Sequence, residues 1–153
     1  MTRISFSLTL VLTLLLSGCD IGPDTSNVKI TEQPAEGLTE SSFDQHYLQQ
    51  LVDETRQTAE ERLVKAYERN NIPPQERFSH AEASGRYESV GGRQLAVVDL
   101  SYSANPMRVM RVVGLAGDKL VTVSCLSPHG EPLVFEAKEG ECAEAIATHF
   151  GQP

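Results

Sequence analysis

The fold is decided by one stretch: Gly91-Gly92-Arg93-Gln94-Leu95-Ala96-Val97-Val98-Asp99-Leu100-Ser101-Tyr102-Ser103-Ala104-Asn105-Pro106-Met107-Arg108-Val109-Met110-Arg111-Val112-Val113-Gly114-Leu115-Ala116-Gly117-Asp118-Lys119-Leu120-Val121-Thr122-Val123-Ser124-Cys125-Leu126. It is rich in valine and punctuated three times by turn-forming pairs, Gly91-Gly92, Asn105-Pro106 and Gly117-Asp118. Strands are expected at Arg93 to Ala104, Met107 to Ala116 and Lys119 to Leu126, with Ser84 to Val90 leading into the first turn. In the Arg93 strand, Ala96, Val98, Leu100 and Tyr102 share one face, against Asp99, Ser101 and Ser103. These strands form a four-stranded antiparallel meander, and Leu133 to Phe135 is either a fifth short strand or the approach to a last helix.

Upstream, Phe43, Tyr47, Leu51, Ala59, Leu63 and Tyr67 recur at multiples of four, and Leu48, Val52 and Ala66 widen the same stripe. Asp53, Glu54, Gln57, Glu60, Glu61 and Lys65 occupy the opposite face. This spacing predicts a long amphipathic helix that starts at Ser42, with Gln45 completing a capping box, and is stopped by Asn70-Asn71-Ile72-Pro73-Pro74. Downstream, Ala143, Ile146, Ala147 and Phe150 predict a short C-terminal helix from about Gly140, ended by Gly151. The fold class expected is therefore α+β, with the helices packed on one face of the sheet.

The amino terminus follows a different logic. Arg3 precedes an uncharged, leucine-rich run from Ile4 to Leu16. As a helix this run would cover about 20 Å, too short for a hydrocarbon core of ~30 Å, so it reads as the hydrophobic region of a signal peptide. Leu16-Ser17-Gly18-Cys19 then resembles the lipobox of bacterial lipoproteins. Small residues admit the backbone to a peptidase, and only a cysteine thiol can form the thioether. The resemblance implies cleavage between Gly18 and Cys19, diacylglycerol on the Cys19 thiol and an acyl chain on its new amine. Asp20 resembles the enteric sorting pattern that implies retention at the periplasmic face of the inner membrane, the outer membrane being the alternative.

The organisation expected is thus a signal peptide at 1–18, a lipidated flexible tether at 19–41 and one domain at 42–153. The tether reading rests on residues such as Gly22-Pro23-Asp24 and Gln33-Pro34-Ala35-Glu36-Gly37, which bury little. Within it, Val28 to Thr31 reads as an edge strand.

The formal charge of the chain is −8. The first 18 residues carry one charged side chain, Arg3, so the remainder is at −9. Nucleic-acid binding needs clustered positive charge and is not expected. Cys125 shares a strand face with Val121 and Val123, and Cys142 lies one helical turn before Ile146. Both point at one core, and a disulfide between them is expected in an oxidising compartment.

His46, His80, His129 and His149 are scattered, and no catalytic or metal-ligand motif accompanies them. His80 and Glu82 share a strand face but lack a third ligand. Ser127-Pro128-His129-Gly130-Glu131 reads as a turn, and Arg108 and Arg111 as solvated charges. No enzyme, metal or cofactor is expected beyond the lipid on Cys19.

The Met107 strand is apolar on both faces. Either helices cover both, or one face binds something, and Met107, Val109, Met110 and Val112 are the candidate binding surface. The stretch Arg111 to Val123, with Ala145-Ile146-Ala147-Thr148-His149-Phe150, is similar to the close of PsbP-like and DcrB-like domains. That resemblance implies a non-enzymatic envelope or assembly role with an envelope-protein partner. A cystatin-like helix and meander is an equally simple topology. The alternatives for function are a carrier with an apolar cavity between helix and sheet, and a hydrolase with a nucleophile–base pair in a polar cleft.

Overall fold

The computed structural model describes residues 26–151. The signal segment, Gly18 and Cys19 lie outside the described residues. The architecture is α+β. Strand β1 (Val28–Pro34) precedes helix α1 (Gln45–Arg69), which is followed by β2 (Ala81–Val90), β3 (Arg93–Tyr102), β4 (Asn105–Ala116), β5 (Lys119–Ser127) and helix α2 (Glu141–Phe150). The five strands form one sheet in the order β1-β5-β4-β3-β2, with every neighbouring pair antiparallel.

The meander follows from its turns. Gly91 and Gly92 both have positive φ, 57° and 79°, the conformation a two-residue hairpin needs and only glycine adopts freely. Val90 therefore faces Arg93. The next turn is displaced from the expected Asn105-Pro106: it is made by Ser103 and Ala104, and Asn105 already pairs with Tyr102. Asn105 stays in the strand by accepting the Met107 N–H on its side-chain oxygen at 2.8 Å. The fifth strand is β1, and Leu133 to Phe135 forms no strand.

β1 corrects the tether. Seven residues inside the expected spacer pair with β5, Val28 opposite Cys125 through Pro34 opposite Lys119. The Val28–Thr31 edge strand is present and longer than expected, so the spacer reading fails from Val28 onward and the fold begins well before residue 42.

The start of α1 is also displaced. Asp44 is the N-cap, its carboxylate accepting the Tyr47 N–H at 2.8 Å. Ser42 instead closes a single 3-10 turn, Glu40–Ser42, where its hydroxyl accepts the Thr39 N–H. Asp44 displaces the serine as cap because its carboxylate satisfies the Tyr47 N–H, which has no partner within the helix. The helix runs 25 residues. Its end is a Schellman motif: Asn71 has φ 54°, its N–H reaches the Glu68 carbonyl, and the Ile72 N–H reaches the Tyr67 carbonyl. The prolines follow this stop; they do not make it.

The helices lie on opposite faces of the sheet, not on one. Leu48 and Leu51 of α1 pack with Ala96, Val98 and Val113. Ile146 and Phe150 of α2 pack with Leu95, Val97, Met110, Val112, Val121 and Val123, joined by Phe135 from the preceding loop. Successive strand residues point to opposite faces, so the doubly apolar strands β3 and β4 are explained by two separate helical covers. The Cys125–Cys142 disulfide ties α2 to β5, with Cα atoms 5.7 Å apart.

Candidate functional site

The expected binding surface does not exist as one surface. Met110 and Val112 are fully buried under α2 and Phe135. Met107 and Val109 sit on the other face, and Val109 packs toward Leu100 and Ala59 beside α1. Alternation along the strand splits the four residues between two faces, and helices cover both where Met110 and Val112 lie under α2 and Val109 lies beside α1.

What is left open lies elsewhere. The short helix α2 contacts β5, β4 and β1, and its C-terminal end packs with Val90 and Leu95 beside the Gly91-Gly92 turn, so on its own face it leaves uncovered the other end of β2 and β3, residues 82–84 and 99–101. A groove of about 470 Å³ occupies that region. It is lined by Glu82 and Ser84 of β2, Asp99 and Ser101 of β3, Arg108 of β4 and Leu133 from the loop above. The pairing register builds it: Glu82 lies opposite Ser101 and Ser101 opposite Arg108, a polar row across three strands. Arg108 in turn lies opposite Ser127, whose buried hydroxyl donates to Glu131 at 2.8 Å. That bond holds the Glu131 carboxyl below its ordinary value and fixes the turn that sequence reading placed at His129.

The groove is electrostatically mixed. Arg86, at its rim, bonds Glu88 at 2.7 Å and also Asp99. Desolvation works against the Arg86 charge, but these carboxylates outweigh it and raise its pKa. Glu82 meets His80 at 3.1 Å, both exposed. The His80 ring also meets the Ser103 hydroxyl at 2.9 Å, which makes this pair a clasp on the β2–β3 end. Arg108 is exposed and forms no ion pair among the described residues. No group of three or more metal-ligating side chains is assembled among the described residues.

Arg111, expected to be solvated, is half-buried between α1 and the sheet. Its guanidinium donates to Thr55 Oγ1 at 2.5 Å, while the Thr55 hydroxyl donates to the Leu51 carbonyl. Burial lowers its pKa, opposed by the nearby Glu54 and Tyr47. It serves the helix–sheet joint, not a surface site.

Sequence reading missed the groove because its residues are a row across strands, set by register. Serine, aspartate and arginine at alternate positions look like an ordinary solvated face until the length of α2 shows which part stays uncovered. Comparison with protein-family models, curated proteins and solved structures finds no match to this chain.

Proposed function

We propose that this chain is a lipid-anchored bacterial lipoprotein whose folded part has a non-catalytic binding or assembly role in the cell envelope. The observation that carries the reading is Leu16-Ser17-Gly18-Cys19 behind the uncharged Ile4–Leu16 run. The disulfide between Cys125 and Cys142 supports it, because such bonds persist in oxidising compartments such as the periplasm. Among the described residues no helix is long and apolar enough to cross a membrane, so in this reading Cys19 supplies the attachment, through diacylglycerol and an N-acyl chain.

The position of β1 sharpens the picture. Asp20 to Asn27 separate the lipidated residue from the first paired residue, Val28. At about 3.4 Å per residue these eight residues span at most ~27 Å. The domain is thus held close to the lipid surface by its β1 edge, with the β2 edge on the far side of the sheet. The Asp20 resemblance favours the periplasmic face of the inner membrane. The groove beside β2 is open and polar, unlike the closed apolar cavity a lipid carrier needs.

Metabolic labelling with an alkyne analogue of palmitate tests this in a bacterial host. The expected result is label on the wild-type chain and recovery in the membrane fraction, both lost in Cys19→Ser. A wild-type chain that carries no label, or is released from membranes by high salt, overturns the anchor.

A further inference from the structure

The β2–β3 hairpin fixes the direction of every peptide group in β2. The two-residue turn makes Val90 and Arg93 a hydrogen-bonded pair, and at the other end the Ser103 N–H donates to the His80 carbonyl at 3.0 Å. Even-numbered residues of β2 therefore bond to β3. Ala83, Gly85, Tyr87 and Ser89 turn their N–H and C=O groups away from the sheet. Ala81 shows the outward direction, since its N–H leaves the sheet and meets Glu60 Oε1 of α1 at 2.5 Å.

The two sheet edges are treated differently. On β1 the outward positions are Val28, Ile30, Glu32 and Pro34. Proline has no N–H to offer, and the Val28 N–H is taken by the Ser26 hydroxyl. β2 is ten residues long and contains no proline. Such an edge is a template for another strand unless something covers it.

The position of α1 decides what fits. A Cβ on Gly85 would meet Val52 Cγ2 at 2.5 Å and Leu48 Cδ1 at 2.9 Å, so α1 runs directly above β2. A second copy joined edge to edge in antiparallel fashion would bring its own α1 onto the same face one strand spacing away, about 5 Å, and helix axes pack no closer than about 8 Å. A bare extended segment has no such helix. Its charge follows from the rim, where four carboxylates, Glu60, Glu82, Glu88 and Asp99, stand against the basic groups of Arg86 and His80 and leave an excess of negative charge.

We infer that β2 takes up an extended, basic segment of a partner protein as an added strand. This rests on the binding role proposed above and is independent of the lipid on Cys19. The test uses the full chain in detergent and a capped nine-residue peptide in which lysine alternates with threonine and valine. On binding, hydrogen exchange at the Gly85 and Tyr87 amides should slow tenfold or more, with little change at Arg86 and Glu88, which already bond to β3. The same peptide with every amide N-methylated keeps its charge and loses its donors, and should bind at least tenfold more weakly. Ala83→Pro, which removes one outward donor, should weaken binding likewise; should that variant misfold, the peptide pair still decides. Equal binding of both peptides, absent protection at Gly85 and Tyr87, or protection of those amides by self-association without peptide would each overturn the inference. None of these results alters the Cys19 labelling, so this proposal and the anchor fail separately.

Discussion

Val52 of α1 leaves no room for a side chain on Gly85 of β2, since a Cβ there would lie 2.5 Å from its Cγ2. The long helix reaches the sheet because one strand position lacks a side chain. Gly85→Ala should therefore cost about 1–3 kcal/mol through overpacking, read as a fall in thermal midpoint. Val52→Ala in the same chain should recover much of the loss, a coupling the double-mutant cycle isolates. Additive effects of the two changes would show that the helix does not rest on this glycine. Gly114 has the same role on the other face, where an added Cβ would collide with Leu95 and meet Phe150 Cε1 at 3.0 Å.

The bond between Cys125 and Cys142 spans 17 residues of sequence and joins the smaller helix to the sheet. Loop closure of that length is worth about 3 kcal/mol on the chain-entropy model. Reduction, or the double change of Cys125→Ser and Cys142→Ser, should lower the thermal midpoint on the order of 10 °C. The loss should centre on α2, with faster amide exchange at Ile146 and Phe150. Unchanged stability under reductant would mean that packing of Ile146 and Phe150 alone holds α2.

Met110 is fully buried among Val97, Val112, Cys125 and Phe135. Met110→Ala should cost about 2–5 kcal/mol, and Met110→Asp should prevent folding, because an unpaired carboxylate would replace a core side chain. Far-ultraviolet circular dichroism and solubility distinguish this from loss of a surface contact, which leaves the fold intact.

How far the sequence could be read depends on the range of the force involved. The meander was legible because the turn pairs Gly91-Gly92 and Gly117-Asp118 and the alternation at Ala96, Val98 and Leu100 are local. The disulfide was legible because strand and helix periods both aimed their cysteines inward. The Val28 strand was underestimated: Thr31, Glu32 and Gln33 are exposed on an edge, so pairing with β5 and not apolar burial holds them. The face each helix covers was not legible either. It depends on which of two apolar stripes in β3 and β4 meets which helix, and both stripes are equally good valine surfaces. The groove at Glu82, Ser101 and Arg108 inherits that difficulty, since it exists only because α2 is short and lies toward β1.

The joint between the first strand and the meander carries the pH dependence. Glu32 of β1 bonds Lys119 of β5 at 2.8 Å, with His149 of α2 3.9 Å from its other oxygen. The Lys119 hydrogen bond and charge lower the Glu32 pKa from its ordinary value of 4.5, and Ser127 does the same for Glu131. A carboxyl whose folded pKa is depressed adds stability that is fully present above the unfolded value and lost as pH falls through the folded one. Stability should therefore hold above about pH 5 and fall below about 4.5 as these two groups take up protons. Both carboxylates are exposed, so the contribution of each is small. Thermal midpoints measured between pH 3 and 6 should fall less steeply in Glu32→Gln than in wild type. Concentrated salt should shrink the difference, because it screens Lys119 from Glu32. An identical slope in variant and wild type would assign the acid sensitivity to other carboxylates and leave β1 held by its main-chain bonds to β5 and by the packing of Val28 on the core.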